Sequence, residues 1–237
     1  MAAVILLAGV VGLVVGGALV AAPAGVVWHR RLQQLHQTLA VVRWDAEHDE
    51  LTGLANRAAF YSRAARVLAK NPAGRRLVVA LVDTDDFKQV NDSYGHHIGD
   101  LVLHALAGRL QERIGTSGLV ARLGGDEFAA LVPIAEYQRA QDVGLWLGRA
   151  GEVPTYLADI PVRVTLSVGV ALVDGPGDLA VLLHRADVAM YRAKRARLGV
   201  AAFDPQLDDD QALLLPGVRP DTRARDEATR AAAGVGQ

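Results

Sequence analysis

The first stretch of the chain is uniformly apolar. From Ala2 to Trp28 no residue is charged, a run longer than the ~20 residues needed to cross the hydrocarbon core of a bilayer. One transmembrane helix over residues 1–28 is expected. Trp28 stands where an interfacial aromatic belongs, and His29, Arg30 and Arg31 follow as a basic flank of the cytoplasmic kind. These features predict a single-pass protein of the inner (cytoplasmic) membrane with the rest of the chain in the cytoplasm. A cleaved signal peptide competes through Ala22-Pro23-Ala24, but no Lys or Arg precedes the run and the run is long for such a segment. Ala8, Gly12 and Gly16 are spaced four apart, a pattern that lets two membrane helices approach and that also follows from the general abundance of glycine in such helices. Trp28, Leu32, Leu35, Leu39, Val42 and Ala46 then alternate steps of four and three. That heptad spacing predicts an amphipathic helical stalk over residues 29–48 that pairs in parallel with a second copy. One helix folded back on its own domain would give nearly the same pattern.

Beyond the stalk, the pattern changes to alternating helical and strand periods. "HDELTGLANRAAFYSRAARVLAKNP" reads as a turn and then a helix ended by Asn71 and Pro72. "RRLVVALVDTDDF" is an apolar, β-branched run fit for a central buried strand, and it ends in acids. "GDLVLHALAGRLQERIG" has helical spacing and a glycine stop. "GLVARLGGDEFAALVP" is two strands around a glycine pair, a hairpin signal. "EYQRAQDVGLWLGRAG" is helix, "VRVTLSVGVALV" strand, and "GDLAVLLHRADVAMYRAKRARL" a long helix. The order α-β-α-β-β-α-β-α predicts an α/β (α+β) sandwich over residues 49–204, with a mixed, partly antiparallel sheet flanked by helices. From Pro205 to Gln237 the chain is polar and lacks sustained periodicity, so a disordered tail is expected.

Composition narrows the chemistry. The 237 residues carry 25 basic and 26 acidic side chains, a net charge of −1, which gives no global field to recruit nucleic acid. There is no cysteine, which excludes disulfides, thiolate metal sites and cysteine nucleophiles. Acids cluster instead at Asp83, at the end of the central strand, and at Asp126 and Glu127, on the hairpin tip. In a sheet of this order those places can meet. Carboxylates without His or Cys suit Mg²⁺ or Mn²⁺, with phosphate and water completing the shell. The turn "DDFKQVND" offers backbone N–H groups and Lys88 to phosphate. Gly124 and Gly125 would let a substrate lie against backbone. Asn91 and Asp100 follow, and a carboxylate that accepts from two N–H groups reads the N1–H and 2-amino edge of guanine. Taken singly, an Asp-rich loop is more often a solvated turn, and a glycine pair merely a hairpin.

Together, "DELTGLANR", "DTDDFKQVNDSYGHHIGD", "RLGGDEF", "SVGVA" and "ADVAMYRAK" resemble the GGDEF family of diguanylate cyclases, in that family's order, from about Asp49 to Phe203. The resemblance implies a fold related to nucleotide cyclase and polymerase palm domains. It also implies a nucleotidyltransferase that condenses two GTP into cyclic di-GMP with release of pyrophosphate, as a two-fold homodimer. By that resemblance Asp83, Asp126 and Glu127 are metal ligands together with the Thr84 carbonyl. Asn91 and Asp100 hold guanine, and His96 lies in the substrate loop. Phe87, Lys88 and Lys194 meet phosphate. Asp126, Glu127 and Lys194 form the catalytic set, with either acid open as proton acceptor. Asp49, Arg57 and Asp187 take structural roles.

Two positions depart from the family pattern. The product-inhibition motif Arg-x-x-Asp falls on Gly115 and Gly118, so no feedback through that site is expected. Leu198 stands where an Arg is usual, with Arg197 beside it as a candidate replacement. The alternative function is a weakly catalytic, GTP-binding module acting through a regulatory partner, whose identity the sequence does not disclose.

Overall fold

The computed structural model describes residues 28, 31–39, 41–71, 76–152, 154–157, 160–173 and 177–208. Residues 1–27 of the membrane helix expected over residues 1–28 lie outside them, as do residues 209–237 of the expected tail. No helix among the described residues is long and apolar enough to cross a membrane. Residues 31–39 and 41–47 are helical and form α1. Its apolar stripe is open to solvent: Leu32, Leu35, Leu39 and Val42 are all exposed.

The central strand β1 (Arg76–Thr84) is buried along nearly its whole length, as its unbroken apolar run requires of a strand covered on both faces. It pairs antiparallel with β3 (Glu127–Ile134) on one side and with β6 (Leu166–Val173) on the other. β2 (Leu119–Gly124) lies outside β3, and β7 (Val200–Ala202) lies parallel to β6, giving the order β2-β3-β1-β6-β7. Side chains alternate across this sheet. Val78, Ala80 and Val82 join one core with residues of α4 (His96–Ile114) and α5 (Ala140–Glu152). Leu77, Val79 and Leu81 join a second core with α2 (Arg57–Ala69) and α6 (Leu179–Arg195). Asp83 continues the odd-numbered series, so the alternation directs it to the α6 side of the sheet.

Local signals explain where these elements begin and approach. α2 starts at Asn56, whose side chain accepts from the Ala59 N–H at 3.0 Å, satisfying a donor that the first turn leaves open. α6 lies close on β6 because residue 169 has no side chain. A Cβ there would stand 2.0 Å from the Ala186 carbonyl oxygen and 2.3 Å from the Met190 nitrogen.

The expected helices and hairpin are present, with three differences. The run "VRVTLSVGVALV" is not one strand: Val162 ends β5 (Ile160–Val162), and β6 starts only at Leu166. β5 pairs with β4 (Thr155–Leu157) as a separate small hairpin. β7 also went unpredicted, since three residues are too short to display a period. Finally, the chain does not leave the fold at Pro205. Asp208 is buried, and its carboxylate pairs with Arg192 at 2.9 and 3.0 Å while accepting from the Asp204 N–H at 2.9 Å. The polarity of "PQLDDD" hides this buried ion pair.

Candidate active site

The acids converge at the end of β1. Register sets Asp83 opposite Glu127, and the Thr84 N–H donates to the Asp126 carbonyl at 3.4 Å, so the hairpin tip lies against the strand end. The tip is built by Gly124 (φ +143) and Gly125 (φ +56), the second in the left-handed region that glycine enters without strain. Arg122 fixes its shape. Its Nε donates to the Gly125 carbonyl at 2.9 Å, and its Nη1 reaches both oxygens of Asp49 at 3.0 and 3.1 Å. Asp49 also accepts from the Thr52 backbone and hydroxyl at 2.9 and 2.7 Å. Burial pushes the Asp49 carboxyl up, but Thr52 and Arg122 outweigh it and hold the group below its ordinary range. Arg57 donates from Nε to the Leu123 carbonyl at 3.0 Å, and its Nη2 lies 3.9 Å from Glu127 Oε2. Asp49 and Arg57 thus tie the lead-in segment to the turn.

Asp83 is 6% exposed, and its Oδ1 lies 2.8 Å from Lys194 Nζ. That oxygen has no aligned hydrogen bond, so the ammonium holds it by charge. Burial pushes the Asp83 carboxyl up to about 7, with Lys194 pulling it down and Asp126 and Glu127 adding to the rise. Thr84 is buried as well. Among the described residues no three acids or histidines are drawn into a closed metal-binding group. The donors nevertheless fit a divalent cation. They are hard oxygens, and the buried carboxylate already holds a positive charge, the ammonium serving as a stand-in ion.

The second half of the site is α3 (Phe87–Tyr94) and the start of α4. Its approach is anchored by Asp85, whose N–H donates to the Thr165 carbonyl at 2.9 Å and whose Oδ1 accepts from Ser167 at 2.6 Å. Asp86 then takes a left-handed conformation, φ 51. Lys88 is exposed on the first turn of α3. The Phe87 side chain packs against the core. Gly95 (φ +84) turns the chain into α4. A Cβ at Gly99 would stand 2.0 Å from Asn91 Oδ1 and 3.1 Å from Phe87 Cζ. Gly99 therefore seats Asn91 beside Asp100, which is exposed, as is His96 at the first position of α4.

Sequence reasoning assigned no role to Arg122, Ser167, Gly99 or Gly169. The signal for Gly99 and Gly169 was glycine inside an otherwise regular element, which points to close approach of another segment. Arg122 and Ser167 act through partners that are distant in sequence, and no local pattern marks them. Lys194, for which a phosphate contact was expected, lies against Asp83.

A sequence model of the family described as "Diguanylate cyclase, GGDEF domain" matches residues 46–199. The chain is 42% identical over 176 residues to the diguanylate cyclase TpbB of Pseudomonas aeruginosa, a match covering 73% of this chain and 40% of TpbB. The chain thus spans about two fifths of that relative. The solved structure of the coiled coil and GGDEF domain of DgcB from Caulobacter crescentus, in complex with c-di-GMP, superposes with a TM-score of 0.65 at 30% identity. That match covers 73% of this chain and 94% of DgcB. Diguanylate cyclase SiaD from Pseudomonas aeruginosa, solved with its activator SiaC, superposes with a TM-score of 0.58 at 31% identity, covering 72% and 66% of the two chains.

Proposed function

Since the chain belongs to the GGDEF-domain family of diguanylate cyclases, we propose that it joins two GTP molecules into cyclic di-GMP and releases two pyrophosphates. The observation that carries this reading is the meeting of Asp83, Asp126, Glu127 and Lys194 at one end of the sheet, beside the α3 turn. Asp83, the Thr84 carbonyl, Asp126 and Glu127 would hold Mg²⁺ or Mn²⁺. Such a cation, when bound, lowers the pKa of the attacking 3′-hydroxyl and neutralises the leaving pyrophosphate. Lys88 and the α3 N–H groups bind the triphosphate. Asn91 and Asp100 take the guanine edge, with His96 at the mouth of the same loop.

The reaction is symmetric: each 3′-oxygen forms a bond to the other nucleotide's α-phosphorus as the bond to pyrophosphate breaks. One domain binds one GTP, so two domains face each other about a two-fold axis. The exposed stripe on α1 supports a stalk that pairs two copies, and the apolar run ending at Trp28 supports anchorage in the cytoplasmic membrane with the catalytic domain in the cytoplasm. A regulatory partner acting on dimer geometry is compatible with the SiaD relative, which was solved with an activator.

The test is incubation of the full chain, in detergent, with GTP and Mg²⁺, followed by chromatographic separation of the nucleotides. A cyclic dinucleotide is expected, and Asp126→Ala should abolish it while leaving the melting temperature within a few degrees, because the half-buried side chain of a polar hairpin tip contributes little packing. A dimer that binds GTP and yields no dinucleotide would instead leave a GTP-binding regulatory module.

A further inference from the structure

The buried carboxylate of Asp83 and the ammonium of Lys194 form a close pair at the centre of the site. An ionised carboxylate taken out of water costs several kcal/mol unless a partner compensates. Asp126 and Glu127, the acids closest in the fold, have the wrong sign. The other cations at this end are engaged elsewhere, Arg122 with Asp49 and Arg57 beside Glu127. Lys194, 2.8 Å from Oδ1, carries the compensation. Its position is prepared by the fold: Gly169, paired in register with Leu81 two residues before Asp83, lets α6 lie on the sheet.

We propose that Lys194 is the resident counter-ion of this site, holding Asp83 when no divalent cation is bound and competing with that cation for Oδ1. The inference rests on the function proposed above and adds a role for Lys194 besides phosphate binding. Two features suit Lys194 to displacement. Its side chain is 29% exposed against 9% for that of Asp83, so Lys194 has a path to water while Asp83 has little. Lysine is also a compact charge on a flexible stem, which moves where a guanidinium fork would stay in place. A divalent cation that takes Oδ1 displaces the ammonium, which can then turn its three donors to the triphosphate. The chain without nucleotide should therefore bind metal more weakly than its acids alone would allow.

The experiment measures Mn²⁺ binding to the full chain without nucleotide, by the electron paramagnetic resonance signal of free Mn²⁺. Lys194→Met should bind Mn²⁺ at least about tenfold more tightly than the unaltered chain, and Lys194→Arg, which keeps the charge, should show no comparable gain. If Lys194→Met does not fold, Lys194→Gln makes the same comparison. Equal or weaker binding in the uncharged variant overturns the inference and leaves the proposed function standing, since a lysine that serves only phosphate has no effect before nucleotide arrives. Mn²⁺ binding that is absent from every variant, or unchanged by Asp83→Asn, overturns the inference, while formation of a cyclic dinucleotide from GTP tests the proposed function separately.

Discussion

In the proposed function Asp83 would serve as a metal ligand only when ionised, yet its surroundings favour the proton. Its carboxyl is raised from an ordinary 3.8 to about 7 by burial, against the pull of Lys194. Between those values the folded chain keeps a proton that the unfolded chain releases, so stability without metal falls as pH rises from about 4 to about 7, by on the order of a few kcal/mol. Asp49 works in the opposite sense and in a different window. Its lowered group stabilises above its ordinary pKa, and that contribution is lost only as pH falls below about 4. Urea midpoints measured in EDTA from pH 4.5 to 8 should therefore decline for the unaltered chain and stay nearly flat for Asp83→Asn. Added Mg²⁺ should restore the midpoint at pH 8 for the first and not the second. A different residue-scale constraint applies at Gly118. A Cβ there would stand 2.7 Å from both Ile114 Cγ2 and the Leu131 carbonyl oxygen, so the acid usual in the product-inhibition motif does not fit without a shift. Gly118→Asp should cost about 1–3 kcal/mol in thermal or urea unfolding. Combined with Gly115→Arg, it should still give no inhibition when turnover is titrated with cyclic di-GMP.

At the scale of elements, α6 links the site to the end of the described fold. Arg192 lies two residues before Lys194, donates to the Ala202 carbonyl at 2.6 Å and is clamped by buried Asp208. Removing one partner of a buried pair costs about 3–5 kcal/mol, and Arg192 keeps some access to water, so Asp208→Ala should cost about 2 kcal/mol in unfolding experiments. Turnover should fall with it, because the last turn of α6 carries Lys194. This clamp was not legible in the sequence. Periodicity reports which face of an element is apolar, and on that ground α2, α4, α5, α6, β1 and the β2–β3 hairpin could all be read. It does not report ion pairs that bury a polar segment, which is why "PQLDDD" looked like the start of a tail. Strands as short as β4, β5 and β7 carry too few residues to show alternation. The acids and glycines of the site were visible because each occupies a turn or strand end, where its residue type is unusual. The pairing of Lys194 with Asp83 depends on the approach of α6 to the sheet, set by one glycine in β6, and sequence spacing carries no such distance.

At the scale of the whole molecule, the proposed reaction requires two active sites to be brought together. α1 meets the domain through its carboxyl-terminal end: Trp44 and His48 stack with centroids 3.5 Å apart, and Asn56 donates to the Ala46 carbonyl at 2.8 Å. Ahead of that junction the stripe is uncovered, with Leu35 57%, Leu39 59% and Val42 58% exposed. A helix folded back on its own domain would have buried these positions, so the exposure favours a second copy as the partner. Pairing by the stalk would hold two domains at a local concentration of about millimolar, far above micromolar chain concentrations. Leu35→Asp with Leu39→Asp places like charges across the stalk seam and leaves the domain core untouched. Sedimentation of the chain from residue 29 onward should shift to monomer, while the unfolding midpoint changes by no more than about 0.5 kcal/mol. Specific activity at micromolar protein should drop at least about tenfold and rise again with concentration, because the domains would then have to meet by diffusion. Activity that fell without any dependence on concentration would place the defect within one domain. A variant that stayed dimeric and fully active would show that the two-fold contact lies in the catalytic domains themselves, with α1 serving only to carry them.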